Sequence, residues 1–245
     1  MKLVREAIDF KSVFKPLSKE QILDELKKLS KKELSEKLFQ QVWNNKSIKI
    51  VKLLIDSGAD VNIKQDINKV TPLMLASSKS ITKLLIASGA NINDKDYRGW
   101  TPLMWASSQG FKNKVEILIN AGADVNIKSI DDNSNALALL LDKSFSHSHS
   151  SFYMDKCKII MKMLIDAGID VNSKDKGDGT PLYTAIMVGD IEIIKILLDA
   201  GADVNIRNNQ NESPLKVASV WWGNDPIKKL LYSYKNKKSN DRTIN

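Results

Sequence analysis

The residue types best suited to chemistry fall in one serine-rich stretch, "DKSFSHSHSSFYMDKCK", which begins at Asp142. It holds the two histidines of the chain, His147 and His149, and its single cysteine, Cys157. Alternating histidines can both face a zinc ion, and a cysteine beside a histidine can act as a nucleophile. A zinc site needs three or four fixed ligands, however, and a serine-rich stretch is typical of a loop. We therefore predict no metal and no catalytic residue, and we interpret Cys157 as a buried or half-buried structural thiol.

Most other polar groups that could do chemistry belong to a repeated motif. The sequence "GADVN" occurs at Gly58, Gly122 and Gly201, and the variants "GANIN" and "GIDVN" occur at Gly89 and Gly168. These glycines are separated by 31, 33, 46 and 33 residues, which indicates an internal repeat of about 33 residues. A Thr-Pro-Leu or Ser-Pro-Leu tripeptide follows four of the five copies at a nearly fixed offset.

Groups that recur in register are poor candidates for a single active site. We interpret the motif's aspartates as structural, and its asparagines as side chains that bond to their local backbone. The "GDGT" at Gly177 lies in phase with the other turns, so we interpret it as a turn and not as a phosphate-binding loop. The sequence therefore predicts a protein that is not an enzyme and has no cofactor. The asparagines are Asn62, Asn93, Asn126, Asn172 and Asn205.

The repeated unit contains start and stop signals for two helices. Thr101 is suited to cap a helix N-terminus, and Pro102 is suited to the first helical position. Gly110 and Gly122 supply the left-handed residues that end helices, with an apolar stripe between them. The unit is therefore helix, turn, helix, loop. A pair this short cannot bury its own apolar face, so the copies must stack on one another.

The ends of the chain and two of the copies depart from this pattern. Residues 1–36 are predicted to be a helical capping segment, with an amphipathic helix over 18–30 that starts at a capping box of Ser18 and Gln21. The second copy is three residues shorter than the third and lacks the glycine turn, so we expect a tighter or distorted helix connection. The fourth copy carries 13 extra residues near 142–156, which we expect to form a loop between its helices.

The unit resembles the ankyrin repeat, whose pattern is D-x-x-G-x-T-P-L-H-x-A, a glycine-closed turn, and V-x-x-L-L-x-x-G-A-x-x-N. Residues 96–126 match nearly all of it, and the resemblance covers residues 37–234 in about six repeats. It implies an all-α fold, a solenoid of stacked helix-turn-helix units with hairpin loops between repeats. Met74, Met104, Tyr183 and Lys216 replace the family's histidine, so we expect apolar packing instead of a polar link between neighbours.

The resemblance also implies where a partner binds, because ankyrin repeats usually contact other proteins through hairpin tips and the concave face of their first helices. Tyr97, Arg98 and Trp100 share one tip and are the residue types most enriched in interface hot spots. The alternative for Trp100 is that it lies across the next hairpin, and for Trp221 a cover over the apolar end of the last repeat is favoured over binding. Trp105 is predicted to lie in the core. The predicted partner-binding residues are Lys79, Tyr97, Arg98, Trp100, Ser108, Gln109, Lys176, Met187, Gln210 and Trp221.

The net charge of +8 belongs to the two ends of the chain. Residues 1–37 carry ten Lys and Arg against seven Asp and Glu, and residues 226–245 carry six against one, which leaves residues 38–225 neutral. Residues 235–245 are expected to be a disordered basic tail. The main hypothesis is a protein–protein interaction scaffold, and the alternative is a polyanion or membrane-surface binder that uses the basic ends.

Further expectations concern the setting of the protein. The longest apolar run, six residues, is too short to span a membrane, and one cysteine cannot form an internal disulfide. We therefore expect a cytoplasmic protein that is a monomer, binds another protein and recognises no specific nucleic acid. Abundant Lys, Asn, Ile and Ser suggest an AT-rich, bacterial genome. An enzyme that uses His147, His149 and Cys157 is the least favoured hypothesis.

Overall fold

The computed structural model describes residues 19–45, 47–146, 151–222 and 226–241, so the predicted capping box at Ser18 lies outside the described residues. Short turns and hairpin loops join thirteen helices in this part of the chain. The helices are α1 (Lys19–Lys27), α2 (Lys31–Trp43), α3 (Ile48–Asp56), α4 (Pro72–Leu75), α5 (Lys79–Ala87), α6 (Pro102–Ser108), α7 (Lys112–Asn120), α8 (Ala136–Ser146), α9 (Ser151–Asp166), α10 (Pro181–Val188), α11 (Ile191–Asp199), α12 (Pro214–Trp222) and α13 (Pro226–Asp241).

The helices from α2 to α13 form six pairs in two layers. The first helices of the pairs, from α2 through α4, α6, α8 and α10 to α12, each contact the next one in the chain. The second helices contact one another in the same way from α3 through α5 and α7 to α9, and from α11 to α13. Each pair buries its apolar face against its neighbours, so the buried side chains form one cluster from Leu26 to Leu231. The predicted all-α solenoid is confirmed.

The helices of the third pair begin and end at the predicted signals. The hydroxyl of Thr101 accepts the N–H of Met104 at 3.3 Å, and Pro102 begins α6. Gly110 has φ +68° after α6, and Gly122 has φ +86° after α7. Glycine adopts this left-handed conformation without strain, so both helices end there.

The asparagines of the motif link each repeat to the next. Oδ1 of Asn172 accepts the N–H of Asp203 at 2.8 Å, and its Nδ2 donates to the carbonyl of Gly201 at 3.3 Å. The predicted local role is therefore wrong for these side chains, because the motifs of successive repeats lie side by side in the stack. Asn205, in the last copy, bonds instead to Asp203 of its own motif. Equivalent bonds to the next repeat are made by Asn62, Asn93 and Asn126.

Replacing Asn172 with alanine should lower the free energy of unfolding by about 1–2 kcal/mol, because two hydrogen bonds at a repeat boundary are lost. Asn205→Ala is the matched control and should cost at most about 0.5 kcal/mol, since that side chain spans no boundary. Urea unfolding followed by circular dichroism measures both. Equal losses in the two variants would show that the bonds between repeats contribute nothing.

The shortened second repeat loses residues from its first helix and not from the connection. Helix α4 has 4 residues against 7 in α6, whereas three residues join the two helices in both repeats. Because α4 ends at Leu75, the carbonyl of Met74 has no helical N–H partner. The Nζ of Lys114, from α7 of the next repeat, donates to this carbonyl at 2.8 Å. Of the tighter or distorted connection that was expected, the tighter form is therefore wrong. A lysine side chain supplies the donor that the missing turn would have provided.

Lys114 is the largest fully buried side chain in the described part of the protein, with 2 % of its surface exposed. Burial lowers the pKa of its amine from 10.5 to about 7, because the charged form loses its hydration. The junction between the second and third repeats therefore contains an amine whose only hydrogen-bond partner among the described residues is a backbone carbonyl.

The loop predicted near 142–156 is wrong for residues 142–146 and 151–156, which lengthen the two helices of the fourth repeat, and residues 147–150 lie outside the described residues. Helix α8 has 11 residues against 7 in α6, and α9 has 16 against 9 in α7. The added part of α9 continues the apolar stripe, since Met154 is buried and Tyr153 packs beside Gly110 of the third repeat. Cys157 is buried, as predicted. The two histidines, His147 and His149, lie outside the described residues.

The helices of the structure cross both of the predicted domain boundaries. Helix α2 begins at Lys31 because Ser30 and Glu33 form a capping box, so residues 31–36 belong to the first repeat and not to the capping segment. Before it, α1 adds Leu26 to the core. At the other end α13 continues to Asp241, so residues 235–241 are helical and the predicted disorder is wrong for them.

One of the four residues that replace the family's histidine still makes a polar link between repeats. The hydroxyl of Tyr183 lies 2.8 Å from the carbonyl of Ile206, close to the carbonyl of Glu212, and accepts the N–H of Asn208 at 3.2 Å. The expectation of apolar packing is therefore wrong for Tyr183, whose phenol is long enough to reach the next hairpin. Met74 and Met104 are buried in the core, as expected.

Candidate functional site

A tight hairpin between the second and third helix pairs carries Tyr97, Arg98 and Gly99 at its tip. The N–H of Asp96 donates to the carbonyl of Trp100 at 3.1 Å, and the N–H of Gly99 donates to the carbonyl of Asp96 at 3.0 Å. Gly99 has φ +78°, and a Cβ there would lie 2.8 Å from a side-chain carbon of the next hairpin. The tip therefore requires glycine, and its closure fixes the two residues before the glycine.

Backbone hydrogen bonds join successive hairpin tips into one row. The N–H of Tyr97 donates to the carbonyl of Asn68 at 3.1 Å, and the N–H of Ile130 donates to the carbonyl of Arg98 at 2.8 Å. The same bond recurs from Lys176 to Asp132 and from Asn209 to Gly177. The tips therefore follow one another along one edge of the stack.

Three successive tips expose a large apolar side chain. Ile67 is 82 % exposed, Tyr97 is 57 % exposed and Ile130 is 65 % exposed. We call these three residues the tip row. The two tips that follow carry Lys176 and Asn209 instead, so exposed large apolar side chains on the described tips are confined to the second, third and fourth repeats. Contiguous exposed apolar surface of this kind is typical of an interaction site.

Asp96 holds two tryptophans beside the tip row. Its buried carboxylate accepts the N–H groups of Arg98 and Trp100 on Oδ1, at 2.9 and 2.8 Å. Oδ2 accepts the indole N–H of Trp105 at 3.0 Å. The rings of Trp100 and Trp105 meet edge to face, with centroids 5.9 Å apart. The prediction that Trp105 lies in the core is wrong: it is half-buried, and Asp96 provides the acceptor that its N–H needs.

The guanidinium of Arg98 lies over these aromatic rings. Its central carbon is 3.8 Å from the ring centroid of Trp100, 5.5 Å from that of Trp105 and 5.6 Å from that of Tyr97. These are cation–π distances, and the contacts restrict the rotation of an otherwise flexible side chain. The tip and the start of α6 therefore form one ordered aromatic and cationic cluster.

Between the fourth and fifth repeats, the hairpins and the first helices line a groove of about 300 Å³. Its walls include Asp132 and Asp175 from the hairpins and Leu139 and Thr184 from α8 and α10. The two carboxylates accept backbone N–H groups of their own hairpins. A partner that contacts the tips can therefore also reach the first helices.

This arrangement of paired helices and hairpins agrees with a comparison to known families. A family model described as "Ankyrin repeats (3 copies)" matches residues 38–129 and 151–242, which together are more than half of the chain. The chain belongs to the ankyrin-repeat family. Ankyrin repeats are generally protein–protein interaction modules and are typically not enzymes. No curated protein gave a match to the sequence.

Two of the residues predicted to bind a partner occupy positions in the ankyrin stack that do not fit that role. Ser108 is buried, and its hydroxyl donates to the carbonyl of Trp105 at 3.1 Å, so a partner cannot reach it. Lys79 begins α5 and lies beside Lys83 and Glu116 of the second helices, because the shortened α4 moves it out of the first-helix layer.

The remaining predicted residues have mixed positions. Gln109, Lys176 and Gln210 are exposed, and Met187 is half-buried against the core. Trp221 lies in α12, but its side chain is outside the described part of the chain. Among the predicted residues whose side chains the structure describes, Tyr97, Arg98 and Trp100 contact one another.

Sequence reasoning missed two residues of the site, Ile130 and Trp105. Aligning "SIDDNSNA" with "DYRGWTPL" places Ile130 at the position of Tyr97, so the repeat register carried the signal. The signal for Trp105 was weaker. That signal is an aspartate at the start of a hairpin followed by a tryptophan nine residues later. The apolar periodicity of the helix does not reveal this pair.

Among the described residues, no group of three or more His, Cys, Asp and Glu side chains is placed to hold a metal ion. No helix within these residues has the length and apolar character needed to cross a membrane.

Proposed function

We propose that this ankyrin-repeat protein is a non-enzymatic scaffold that binds another protein through the tip row and the adjoining groove. The observation that carries the proposal is the exposure of Ile67, Tyr97 and Ile130 on three successive tips. A folded chain has no structural need for these apolar side chains in water, whereas an interface does.

The hydrogen bonds that hold the site in one conformation support the same function. The tips are tied together by backbone hydrogen bonds, and Asp96 fixes Arg98, Trp100 and Trp105 through three more. A surface that is already ordered loses little conformational entropy when a partner binds, so more of the contact energy contributes to affinity. Tyr, Trp and Arg are also the residue types that most often dominate binding energy.

The extent of the apolar surface limits the footprint of the partner. Tips of the second, third and fourth repeats are apolar, and the fifth and sixth present Lys176 and Asn209. We therefore place the centre of the interface on the third repeat, with the polar tips at its rim. A polar rim around an apolar centre is the usual composition of a protein interface.

A variant with serine at Ile67, Tyr97 and Ile130 should lose at least about tenfold in partner recovery, because the apolar centre of the interface is removed. The measurement is affinity enrichment from extracts of the source cells, followed by quantitative mass spectrometry. Serine at Ile48, Ile159 and Ile191 is the matched control, since these residues are 41 %, 40 % and 44 % exposed on second helices.

Both triple variants should keep the circular dichroism spectrum of the wild type, because all six side chains are exposed. The control should recover the same proteins as the wild type. If the variant of the tip row also recovered every protein at wild-type levels, the proposed interface would be wrong.

A further inference from the structure

Among the described residues, the guanidinium of Arg98 donates no hydrogen bond, although it lies over the ring of Trp100 and forms a long ion pair with Asp96. Its Nε is buried without a hydrogen-bond acceptor, so a partner can reach the guanidinium only at its terminal nitrogens. The closest carboxylate oxygen, Oδ2 of Asp96, is 3.8 Å from Nε, which is too long for a hydrogen bond. Asp96 is also occupied, because it already accepts N–H groups from Arg98, Trp100 and Trp105.

The position of this guanidinium favours binding. It lies over the ring of Trp100, and the side chain remains 28 % exposed. An arginine held against an aromatic face presents the edge of its guanidinium, which matches the two oxygens of a carboxylate. The ring centroid of Tyr97 is 5.6 Å from the central carbon of the guanidinium, and the backbone N–H of Ile130 on the next tip donates to the carbonyl of Arg98. An acceptor bound there would therefore lie beside two tips that expose apolar side chains.

We propose that Arg98 binds the carboxylate of one glutamate or aspartate in the partner, flanked by apolar residues that pack on the tip row. This inference rests on the proposed function, since it names the chemistry that the same interface recognises. The two N–H donors of the guanidinium edge would both bond to the carboxylate, which fixes the register of the partner on the tips.

The surroundings of Arg98 favour a single carboxylate over a phosphate or an acidic run. Domains that recognise phosphorylated peptides use clusters of arginines, whereas here one arginine is offset by Asp96 at 3.8 Å. Asp66 and Asp131 are exposed on the neighbouring tips. Additional acidic groups on the partner would approach these two carboxylates, so a run of charges would be repelled.

A random-peptide phage library selected on the immobilised full-length chain provides the probe. The enriched peptides are expected to contain one Glu or Asp beside aromatic or branched apolar residues. One enriched peptide is then synthesised in its acidic form and in an amide form, with Gln or Asn at the acidic position. Its affinity is measured for the wild type and for Arg98→Met, with Lys95→Met as a control for the loss of an exposed positive charge.

Arg98→Met and the amide peptide should each weaken binding by about 10- to 100-fold, and combining the two changes should cost little more than either alone. Lys95→Met should change affinity by less than about threefold. Arg98→Lys should restore only part of the affinity, because an ammonium keeps the charge but not the paired donors. Circular dichroism of each variant checks that the fold is retained.

The outcomes separate this inference from the proposed function. Two outcomes would overturn the role of Arg98 and leave the interface intact. In the first, the enriched peptides need the tip row but carry no acidic residue. In the second, the losses of affinity from Arg98→Met and from the amide peptide add when the two changes are combined. Enriched peptides that bind the serine variant of the tip row as well as the wild type would overturn both. A selection without any enriched peptide would also count against both.

Discussion

Asp96→Asn should lower the free energy of unfolding by about 2–4 kcal/mol, because the buried side chain accepts three hydrogen bonds and approaches the charge of Arg98. The amide oxygen can still accept the two backbone N–H groups. Its NH₂ group, however, faces the indole N–H of Trp105, so one donor meets another. Chemical denaturation measures the loss, and tryptophan fluorescence should shift to longer wavelength as the indoles gain water.

Asp175→Asn in the fifth repeat is the matched control. Its Oδ1 also accepts two backbone N–H groups of the hairpin, from Gly177 and Gly179, but no indole or arginine contacts the other oxygen. We expect it to cost about 1 kcal/mol. The difference between the two variants therefore isolates the contribution of Trp105 and Arg98, and equal losses would contradict the role given to Asp96 in ordering the site.

Lys114→Met should change the way stability depends on pH. The pKa of the Lys114 amine is about 7 in the folded protein and 10.5 when exposed, so the unfolded chain binds more protons between these values. The contribution of this amine to the stability of the wild type therefore rises with pH across that window. Below about pH 7 this contribution is constant and at its lowest. Each pKa unit corresponds to about 1.36 kcal/mol, so the rise amounts to as much as about 4–5 kcal/mol.

Methionine cannot titrate, so the free energy of unfolding of Lys114→Met should increase relative to that of the wild type as pH falls from about 10 to about 7. At high pH it should be the less stable protein by about 1 kcal/mol, because the carbonyl of Met74 loses its donor. Lys112→Met, at an exposed position of the same helix, should leave the pH dependence unchanged. Parallel stability curves for Lys114→Met and the wild type would show that Lys114 is not desolvated.

The sequence predicted the parts of the fold that each repeat determines for itself. The Thr101–Pro102 pair begins α6, and the glycine at 122 ends α7, because capping and left-handed backbone are local properties. The prediction that Tyr97, Arg98 and Trp100 lie together is correct for the same reason, since one tight hairpin holds all three.

The contributions of neighbouring repeats were not predictable from one unit alone. Asn172 was expected to bond locally, yet its acceptor and donor partners belong to the next copy. Lys114 has the pattern of a solvated lysine, and only the missing turn of α4 in the previous repeat explains its burial. Ile130 becomes part of the site because its backbone bonds to the tip before it.

The central claim is that a partner protein lies on the tip row, and site-specific photo-crosslinking tests it most directly. A photoreactive amino acid in place of Ile67, which is 82 % exposed, should form a covalent product with a second protein in the source cells. The same residue in place of Ile191, on a second helix, should form none. Crosslinking from position 191 but not from position 67 would place the partner on the opposite layer and contradict the proposed function.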